Sequence, residues 1–365
     1  MESYVTEGKA KLRVHLAEIP SREMPVFYNP EMRSNRDLTL WVLGALKLKM
    51  KDAAIPYAGS GVRGIRMLLE LDNPPEMVHL NDISEEAIAL MRENAEMNGV
   101  SQKIVISQRE ASRFLMDSKG FDFIDIDPFG TPVHVMKAAA QAIRENGIIA
   151  VNALDTAALS GTYPKTCLRR YWAVSLKCSL SKEIAMRILI RRFQLEAASF
   201  DKALEPIFSI KSKHFVRVFL KASKGADKAN KMLSRHGSIF HNPDTLRTEL
   251  SPFESGKEIG PLYTGPLWDK EVMKSMLSYI DSSNVHISPK EVARNKAYCS
   301  AILDDLSVDS LGFYDLHEVA ALNGASPLSI QEALQRIPGS VKSSIVPFAI
   351  KSKLSHSEIM KRLTT

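Results

Sequence analysis

A strand that ends in a carboxylate, a proline and an aromatic ring can do chemistry at its tip. This chain has one at Phe121-Asp122-Phe123-Ile124-Asp125-Ile126-Asp127-Pro128-Phe129-Gly130. The Asp127 carboxylate and the Pro128 carbonyl accept hydrogen bonds, and Phe129 offers a stacking face. An exocyclic amine on an aromatic base is a weak nucleophile because its lone pair is delocalised into the ring. Accepting its N–H hydrogens at Asp127 and Pro128 returns electron density to nitrogen and aims the lone pair. Positioning of that kind supplies on the order of 7–11 kcal/mol at best, and stacking on Phe129 about 1–3 kcal/mol. Plain structural readings stand beside these: Asp127 as a turn former before proline, and Phe129 as a cap on the sheet. Alternation puts Asp125 and Asp127 on one face. No histidine or further carboxylate accompanies them, so no metal is expected.

A second cluster lies upstream. Gly59-Ser60-Gly61-Val62-Arg63-Gly64 matches the glycine fingerprint of nucleotide cofactors, which NAD, FAD and S-adenosylmethionine enzymes share. Asp82, eighteen positions past Gly64, ends the next apolar run; it can bind both ribose hydroxyls or cap a helix. Glu110-Ala111 follow the third run and Asp127 the fourth. A nicotinamide enzyme needs a pyrophosphate site, and no further motif supports hydride chemistry. A methyltransferase needs an acid after the second strand, adenine contacts after the third and a substrate tip after the fourth, which is the order found. Phe27, in Val26-Phe27-Tyr28-Asn29-Pro30, can form the second face of a base sandwich or staple a helix. Arg36 and Arg66 can reach a cofactor carboxylate or stand as ordinary surface charges.

The elements that must position these groups follow from periodicity. Apolar runs near 53–57, 77–80, 104–106, 121–126 and 147–151 alternate with helical patterns, beginning at 36–49. Near-continuous apolar strands between helices predict an α/β fold with a doubly wound, parallel, Rossmann-like sheet. Its ligands belong at the carboxyl ends of the strands. A helix near 182–200 and a strand at 215–220 extend this unit. The polar stretch Lys221 to Pro252 reads as a linker or loop, and helices at 269–280, 289–306, 316–322 and 328–337 follow. The predicted division is 1–222 for a cofactor-binding catalytic domain, 223–267 for a linker and loop region, and 268–365 for a smaller helical, winged-helix-like C-terminal domain.

The totals narrow the setting. Of 365 residues, 45% are hydrophobic and 25% charged, enough for a sizeable core without disulfides. Cys167, Cys178 and Cys299 are scattered with no CxxC pair, which indicates a reducing compartment and no zinc framework. No run approaches the ~18 apolar residues of a membrane span, and Met1-Glu2-Ser3-Tyr4-Val5 lacks a signal-peptide pattern. A cytoplasmic protein with no membrane partner is expected. The net charge of +6 is unevenly spread: residues 161–192 hold eight Lys/Arg against one acid, Glu183, with Tyr163, Tyr171 and Trp172 among them. Residues 341–362 add Lys342, Lys351, Lys353, Lys361 and Arg362 against Glu358. Either run alone is a solvated basic face. Two beside a base-handling tip point to a phosphate backbone.

Several segments resemble the tRNA guanine-26 N2-dimethyltransferase family of archaeal type. They are Phe27-Tyr28-Asn29-Pro30, Asn35-Arg36-Asp37-Leu38, Asp125-Ile126-Asp127-Pro128-Phe129-Gly130-Thr131-Pro132, Gly161-Thr162-Tyr163-Pro164-Lys165, Gly260-Pro261-Leu262-Tyr263-Thr264-Gly265-Pro266-Leu267-Trp268 and Phe348-Ala349-Ile350-Lys351, in collinear order. The resemblance implies S-adenosyl-L-methionine as methyl donor, tRNA as partner and the guanine between the D-arm and the anticodon arm as target, methylated once or twice. It assigns Arg36, Arg66, Asp82, Glu110 and Ala111 to the cofactor beside the glycine-loop residues Gly59 and Gly61. It assigns Asp127 and Pro128 to catalysis and Phe27 and Phe129 to the base. The C-terminal domain would hold the tRNA body, and a monomer is expected. Many relatives carry a four-cysteine zinc knuckle after the 215–220 strand, but residues 221–259 here contain no cysteine. His236 and His241 do not make a closed zinc site, so no structural zinc is expected and the loop should be more mobile or held by other contacts. The rivals are an amino-methyltransferase acting on rRNA or DNA, a nicotinamide oxidoreductase and a non-catalytic RNA-binding relative.

Overall fold

The computed structural model describes residues 2–15, 24–212, 214–251, 258–282, 289–308 and 310–364. Strands β1 (Glu2–Glu7) and β2 (Ala10–His15) form an antiparallel hairpin that turns at Gly8. Helix α1 (Arg33–Leu46) follows and stops where Lys47 turns left-handed at φ 48°. The alternating unit then runs β3 (Asp52–Ile55), α2 (Val62–Glu70), β4 (Met77–Asp82), α3 (Glu85–Met97), β5 (Ile104–Gln108), α4 (Ala111–Met116), β6 (Phe121–Ile126), α5 (Val133–Ala142) and β7 (Ile143–Ala153). Short α6 (Thr156–Leu159), α7 (Pro164–Tyr171) and the long α8 (Ser181–Ala198) lead to β8 (Lys202–Lys211) and β9 (Val216–Lys224).

Seven strands make one sheet in the order β5-β4-β3-β6-β7-β9-β8. The first five are mutually parallel, whereas β9 runs antiparallel to both β7 and β8. Strand order reverses between β3 and β6, so the crevice at that switch point lies between the glycine loop after β3 and the Asp127 tip after β6. The central strands are apolar on both faces, with Ala53, Ile55, Leu80, Phe123, Ile124 and Ile149 fully buried, because helices cover both sides. Gly64 lets α2 lie close to the sheet: a Cβ there would sit 2.6 Å from Leu80 Cδ2 and 2.7 Å from Val78 Cγ1.

Three regions depart from the sequence expectation. The hairpin β1–β2 and the strand β8 are additional; β8 holds Pro206 at a register shift, which hides it from a pattern search. The expected linker is folded. It forms α9 (Ala226–Leu233), β10 (His236–His241), β11 (Thr248–Ser251) and β12 (Ile259–Tyr263), three strands in the order β11-β10-β12. Its residues 252–257 lie outside the described residues. In this sheet His236 Nε2 meets Gln194 Oε1 at 2.8 Å and His241 Nδ1 meets Thr248 Oγ1 at 2.9 Å, so each imidazole has a protein partner. No group of three or more His, Cys, Asp or Glu among the described residues could hold a metal ion.

Beyond it lie α10 (Lys270–Ser282) and α11 (Pro289–Asp305), then β13 (Tyr314–Asp315), α12 (Leu316–Leu322), α13 (Ile330–Arg336), β14 (Val341–Lys342), β15 (Ala349–Lys351) and α14 (His356–Thr364). The three short strands pair in the order β13-β15-β14 around a separate apolar cluster that includes Leu316, Ile337, Ile350 and Ile359. Among the described residues no helix is long and apolar enough to cross a membrane.

A buried ion network fastens the N-terminal hairpin to α1 and α2. Glu7, at the end of β1, accepts from Arg36 Nε at 2.7 Å, Arg66 Nη1 at 2.8 Å and Tyr28 Oη at 2.8 Å. Arg66 also pairs with Asp37 and Glu70 at 2.6 Å each. Burial raises the Glu7 carboxyl, but the hydrogen bond and charge of Arg36, the charge of Arg66 and the Tyr28 hydroxyl outweigh it and bring it down to about 2. Burial wins at neighbouring Asp37, whose carboxyl is raised despite Arg66 and Arg33. A carboxyl depressed in the fold stabilises above its unfolded value and loses that contribution as pH falls through the folded one. Glu7 therefore contributes on the order of 3 kcal/mol at neutral pH, lost between about pH 4.5 and 2. Denaturant titrations across this range should show Glu7→Gln less stable than the parent by about 3–5 kcal/mol at pH 7. The gap should narrow on acidification; a gap independent of pH contradicts the assignment.

Candidate active site

The candidate catalytic tip is carried at the end of β6. Its last residues point alternately into the sheet layers, so Asp125 and Asp127 emerge toward the same side, above the glycine loop. Two carboxylates so close need cations. Arg63, in the first turn of α2, pairs through Nη2 with Asp127 Oδ2 and through Nη1 with Asp125 Oδ2 at 3.4 Å. Arg217 of β9, fully buried, places Nη2 at 3.0 and 2.9 Å from the Asp125 oxygens and 2.7 Å from Thr39 Oγ1. A closed ring of hydrogen bonds then fixes Asp127. Asn152 Nδ2 of β7 donates to Asp127 Oδ1 at 2.7 Å, Asn35 Nδ2 of α1 donates to Asn152 Oδ1 at 3.3 Å, and Arg63 Nη2 donates to Asn35 Oδ1 at 2.8 Å.

Burial raises the Asp127 carboxyl, but the charges of Arg63 and Arg217 and the hydrogen bonds from Arg63 and Asn152 prevail and hold it below the ordinary aspartate value. Asp127 is thus an ionised acceptor, with its side chain 17% exposed toward the cavity. The Pro128 carbonyl accepts no hydrogen bond from the described residues, so the second acceptor of the tip is open. The loop beyond is pinned: Leu154 N donates to Gly130 O at 2.8 Å, and Thr131 Oγ1 meets Tyr171 Oη at 3.0 Å. Tyr171 Oη in turn donates to Asp155 Oδ1 at 2.5 Å.

This tip forms one wall of a cavity of about 750 Å³, a size that suits a nucleotide-sized ligand. Phe27, Arg36, Gly59, Asp82, Asp127, Pro128 and Phe129 all line it. Gly59 turns at φ 53° and Gly61 at φ 79°, and a Cβ at Gly59 would come within 3.3 Å of the Phe27 carbonyl oxygen. The Asp82 carboxylate is held open toward the cavity by backbone donors, from Gly59 N at 2.9 Å and Ile83 N at 2.8 Å. It is not the helix cap; Ser84 caps α3, accepting from Ala87 N at 3.2 Å. Arg36 Nη1 makes no hydrogen bond among the described residues, while Nε and Nη2 are held by Glu7.

Four expected cofactor residues sit differently. Gly61 is not on the cavity lining and faces the core, where a Cβ would meet Leu80 Cδ1 and Met91 Cγ at 3.2 Å each. Arg66 lies behind the wall, fully buried; it neither lines the cavity nor faces solvent, because Glu7, Asp37 and Glu70 occupy its guanidinium. Glu110 and Ala111 are not on the cavity lining. Glu110 caps α4 by accepting from Ser112 N and Arg113 N at 3.0 Å, and Ala111 is the first residue of that helix. Glu110 is still close enough to act on Tyr57, which does line the cavity. Burial, then Glu110 and Asp82, push the Tyr57 hydroxyl up to about 12.

The aromatic pair is brought together across a hundred residues of sequence. Phe27 and Phe129 meet edge to face, centroids 4.5 Å apart. A base held between two rings needs a gap of about 7 Å, so the pair is closed on itself and must part to admit one. Residues that sequence reasoning missed are Arg63, Asn35, Asn152 and Arg217 of the carboxylate network, and Tyr57 and Ile83 of the cavity. Arg217 did leave a signal, as a lone charge within the apolar run Phe215-Val216-Arg217-Val218-Phe219-Leu220.

Residues 8–364 match the family described as N2,N2-dimethylguanosine tRNA methyltransferase. The chain is similar to a tRNA (guanine(26)-N(2)/guanine(27)-N(2))-dimethyltransferase of Aquifex aeolicus, 36% identical over 98% of this chain and 95% of the relative. It is also similar to a tRNA (guanine(26)-N(2))-dimethyltransferase of Thermococcus kodakarensis, 33% identical over 98% of this chain and 99% of the relative. The solved structure of Trm1 from Pyrococcus horikoshii in complex with S-adenosyl-L-methionine superposes with a TM-score of 0.89 at 30% identity, covering 99% of both chains. With a family match over nearly its whole length and the sheet, glycine loop and strand tip in place, the chain belongs to the N2,N2-dimethylguanosine tRNA methyltransferase family.

Proposed function

We propose that this chain transfers one or two methyl groups from S-adenosyl-L-methionine to the exocyclic N2 amine of guanine 26 in tRNA. The observation that carries the reading is the ionised, doubly braced Asp127 beside an open Pro128 carbonyl at the rim of a nucleotide-sized cavity. When bound, the cofactor supplies an electrophilic methyl group on a sulfonium centre. The donor set fits that ligand. Asp82 suits the two ribose hydroxyls, Arg36 Nη1 suits the carboxylate, and Tyr57 with the exposed Ile83 offers apolar walls for the adenine. Arg66 supports the site at one remove by fixing Glu7, which fixes Arg36. Glu110 and Ala111 act on the same end from α4.

On the substrate side, the guanine leaves its stack at a cost of a few kcal/mol and enters between Phe27 and Phe129 as the rings part. Asp127 and the Pro128 carbonyl accept the two N–H hydrogens and turn the lone pair toward the methyl group. The first transfer engages both acceptors; the second engages one, because one N–H remains. The depressed Asp127 carboxyl passes the released proton on to solvent rather than keeping it. The basic residues of 161–192 and 341–362 offer phosphate contacts for the tRNA body, and the C-terminal unit from 268, read as winged-helix-like, would hold it. Guanine 27 is a second candidate target, favoured by the name of the Aquifex aeolicus relative.

Asp127→Asn keeps the shape and loses the charge. Steady-state methylation of unmodified tRNA should fall at least a hundredfold, with cofactor and tRNA dissociation constants within about threefold of the parent; undiminished turnover contradicts the mechanism. Arg63→Lys keeps one cation but loses the fork that spans Asp125, Asp127 and Asn35. It should lower kcat by about ten- to a hundredfold with a smaller change in KM. Weaker stabilisation of the carboxylate raises the Asp127 value, so the acid limb of the kcat–pH profile should move toward neutral. A loss of kcat with an unmoved limb would assign Arg63 a purely steric role.

A further inference from the structure

We propose that Trp172, supported by Arg192, is a stacking platform for an unstacked tRNA base flanking the target guanine; the proposal rests on the tRNA reading above. Of the three tryptophans, Trp41 and Trp268 are buried, whereas Trp172 is 52% exposed. It directly follows α7 in the left-handed conformation, φ 54° and ψ 41°. Glycine normally takes that place at a helix end, and a bulky side chain there is an outlier. Strain of this kind persists where the surroundings hold it for a purpose.

The surroundings do hold it. The Arg192 guanidinium carbon lies 3.7 Å from the Trp172 ring centroid. Arg192 is itself buried and immobilised, Nη1 on Glu196 Oε1 at 2.5 Å and Nε on the Arg170 carbonyl at 3.2 Å. Arg191 Nη1 adds a contact to the Trp172 carbonyl at 3.3 Å. Arg192 is therefore a shelf rather than a phosphate ligand. It lies over the indole, and Trp172 still remains exposed.

Charge around the platform selects the partner. Residues 156–182 carry Lys165, Arg169, Arg170, Lys177 and Lys182 and no acid. Arg170 is paired with Asp155 at 3.0 Å, while Lys165, Arg169 and Lys177 are exposed. An aromatic face amid exposed cations is the combination that binds unpaired nucleic acid, the cations taking phosphates and the ring a base. The place is also right. The preceding residue, Tyr171, reaches Thr131 on the wall of the cavity, so the backbone that carries the platform is joined to the site through one tyrosine side chain. Flipping the target guanine leaves its neighbours without a stacking partner, and Trp172 supplies one.

The test uses the full chain and unmodified tRNA. Trp172→Gly suits the left-handed backbone and removes only the ring. It should bind tRNA about ten- to a hundredfold more weakly, raise KM for tRNA more than it lowers kcat, and leave S-adenosylmethionine affinity unchanged. Trp172→Tyr should recover most of the loss, which a merely structural role would not require. In the parent, tRNA should quench the emission of the exposed indole. A Trp172→Gly variant with parental tRNA affinity, or emission untouched by saturating tRNA, overturns the platform while leaving methylation intact. A parent chain that neither binds nor methylates tRNA overturns the functional reading and the platform together.

Discussion

The site depends on one electrostatic constraint. Asp125 and Asp127 leave the same strand on the same side, and their charges are held in a buried setting by Arg63 and Arg217. Desolvating such groups costs several kcal/mol each, and the pairing roughly repays it only when geometry is good. The cluster is therefore better understood as an orienting device than as a source of stability. Its members come from α1, the first turn of α2, β6 and its tip, β7 and β9, so the elements around the switch point must be in register before Asp127 can be ionised and aimed. Arg217 also lies 4.9 Å from the Phe219 ring centroid, a further favourable contact for a buried cation.

A second network, centred on Glu7, extends the same logic outward. It ties the β1–β2 hairpin to α1 and α2 and orients Arg36 on the cavity wall. Tyr28 joins it through its hydroxyl, which fixes the segment that carries Phe27. Both halves of the aromatic pair are thereby tethered to ionic clusters: Phe129 through the tip and Phe27 through Tyr28. The rings can part only within the slack these anchors allow.

Much of this was legible in the sequence, for physical reasons. The five parallel strands announced themselves because burial on both faces demands continuous apolar runs. That Gly59, Asp82 and Asp127 would meet at one cavity was legible because a doubly wound sheet gathers its strand ends at one edge. Arg66 misled because its position after the glycine loop says nothing of depth: Glu7, 59 residues upstream, and Glu70 draw it into the interior. The stretch after 221 misled because a small sheet with a solvent face needs few apolar residues, and its composition mimics a linker. Strand β8 was hidden by Pro206 at its bulge. Asn35 and Asn152 were invisible because a buried amide is identified by its partners, and these lie 117 residues apart.

The central claim is that this tip delivers a methyl group to a guanine amine of tRNA. The most direct measurement is nucleoside mass spectrometry of unmodified tRNA after incubation with the parent enzyme and isotopically labelled S-adenosylmethionine, with fragment mapping of the labelled position. The account predicts label in N2-methyl- and N2,N2-dimethylguanosine at position 26. Label on an adenine or cytosine amine, or transfer to rRNA or DNA in place of tRNA, would contradict it.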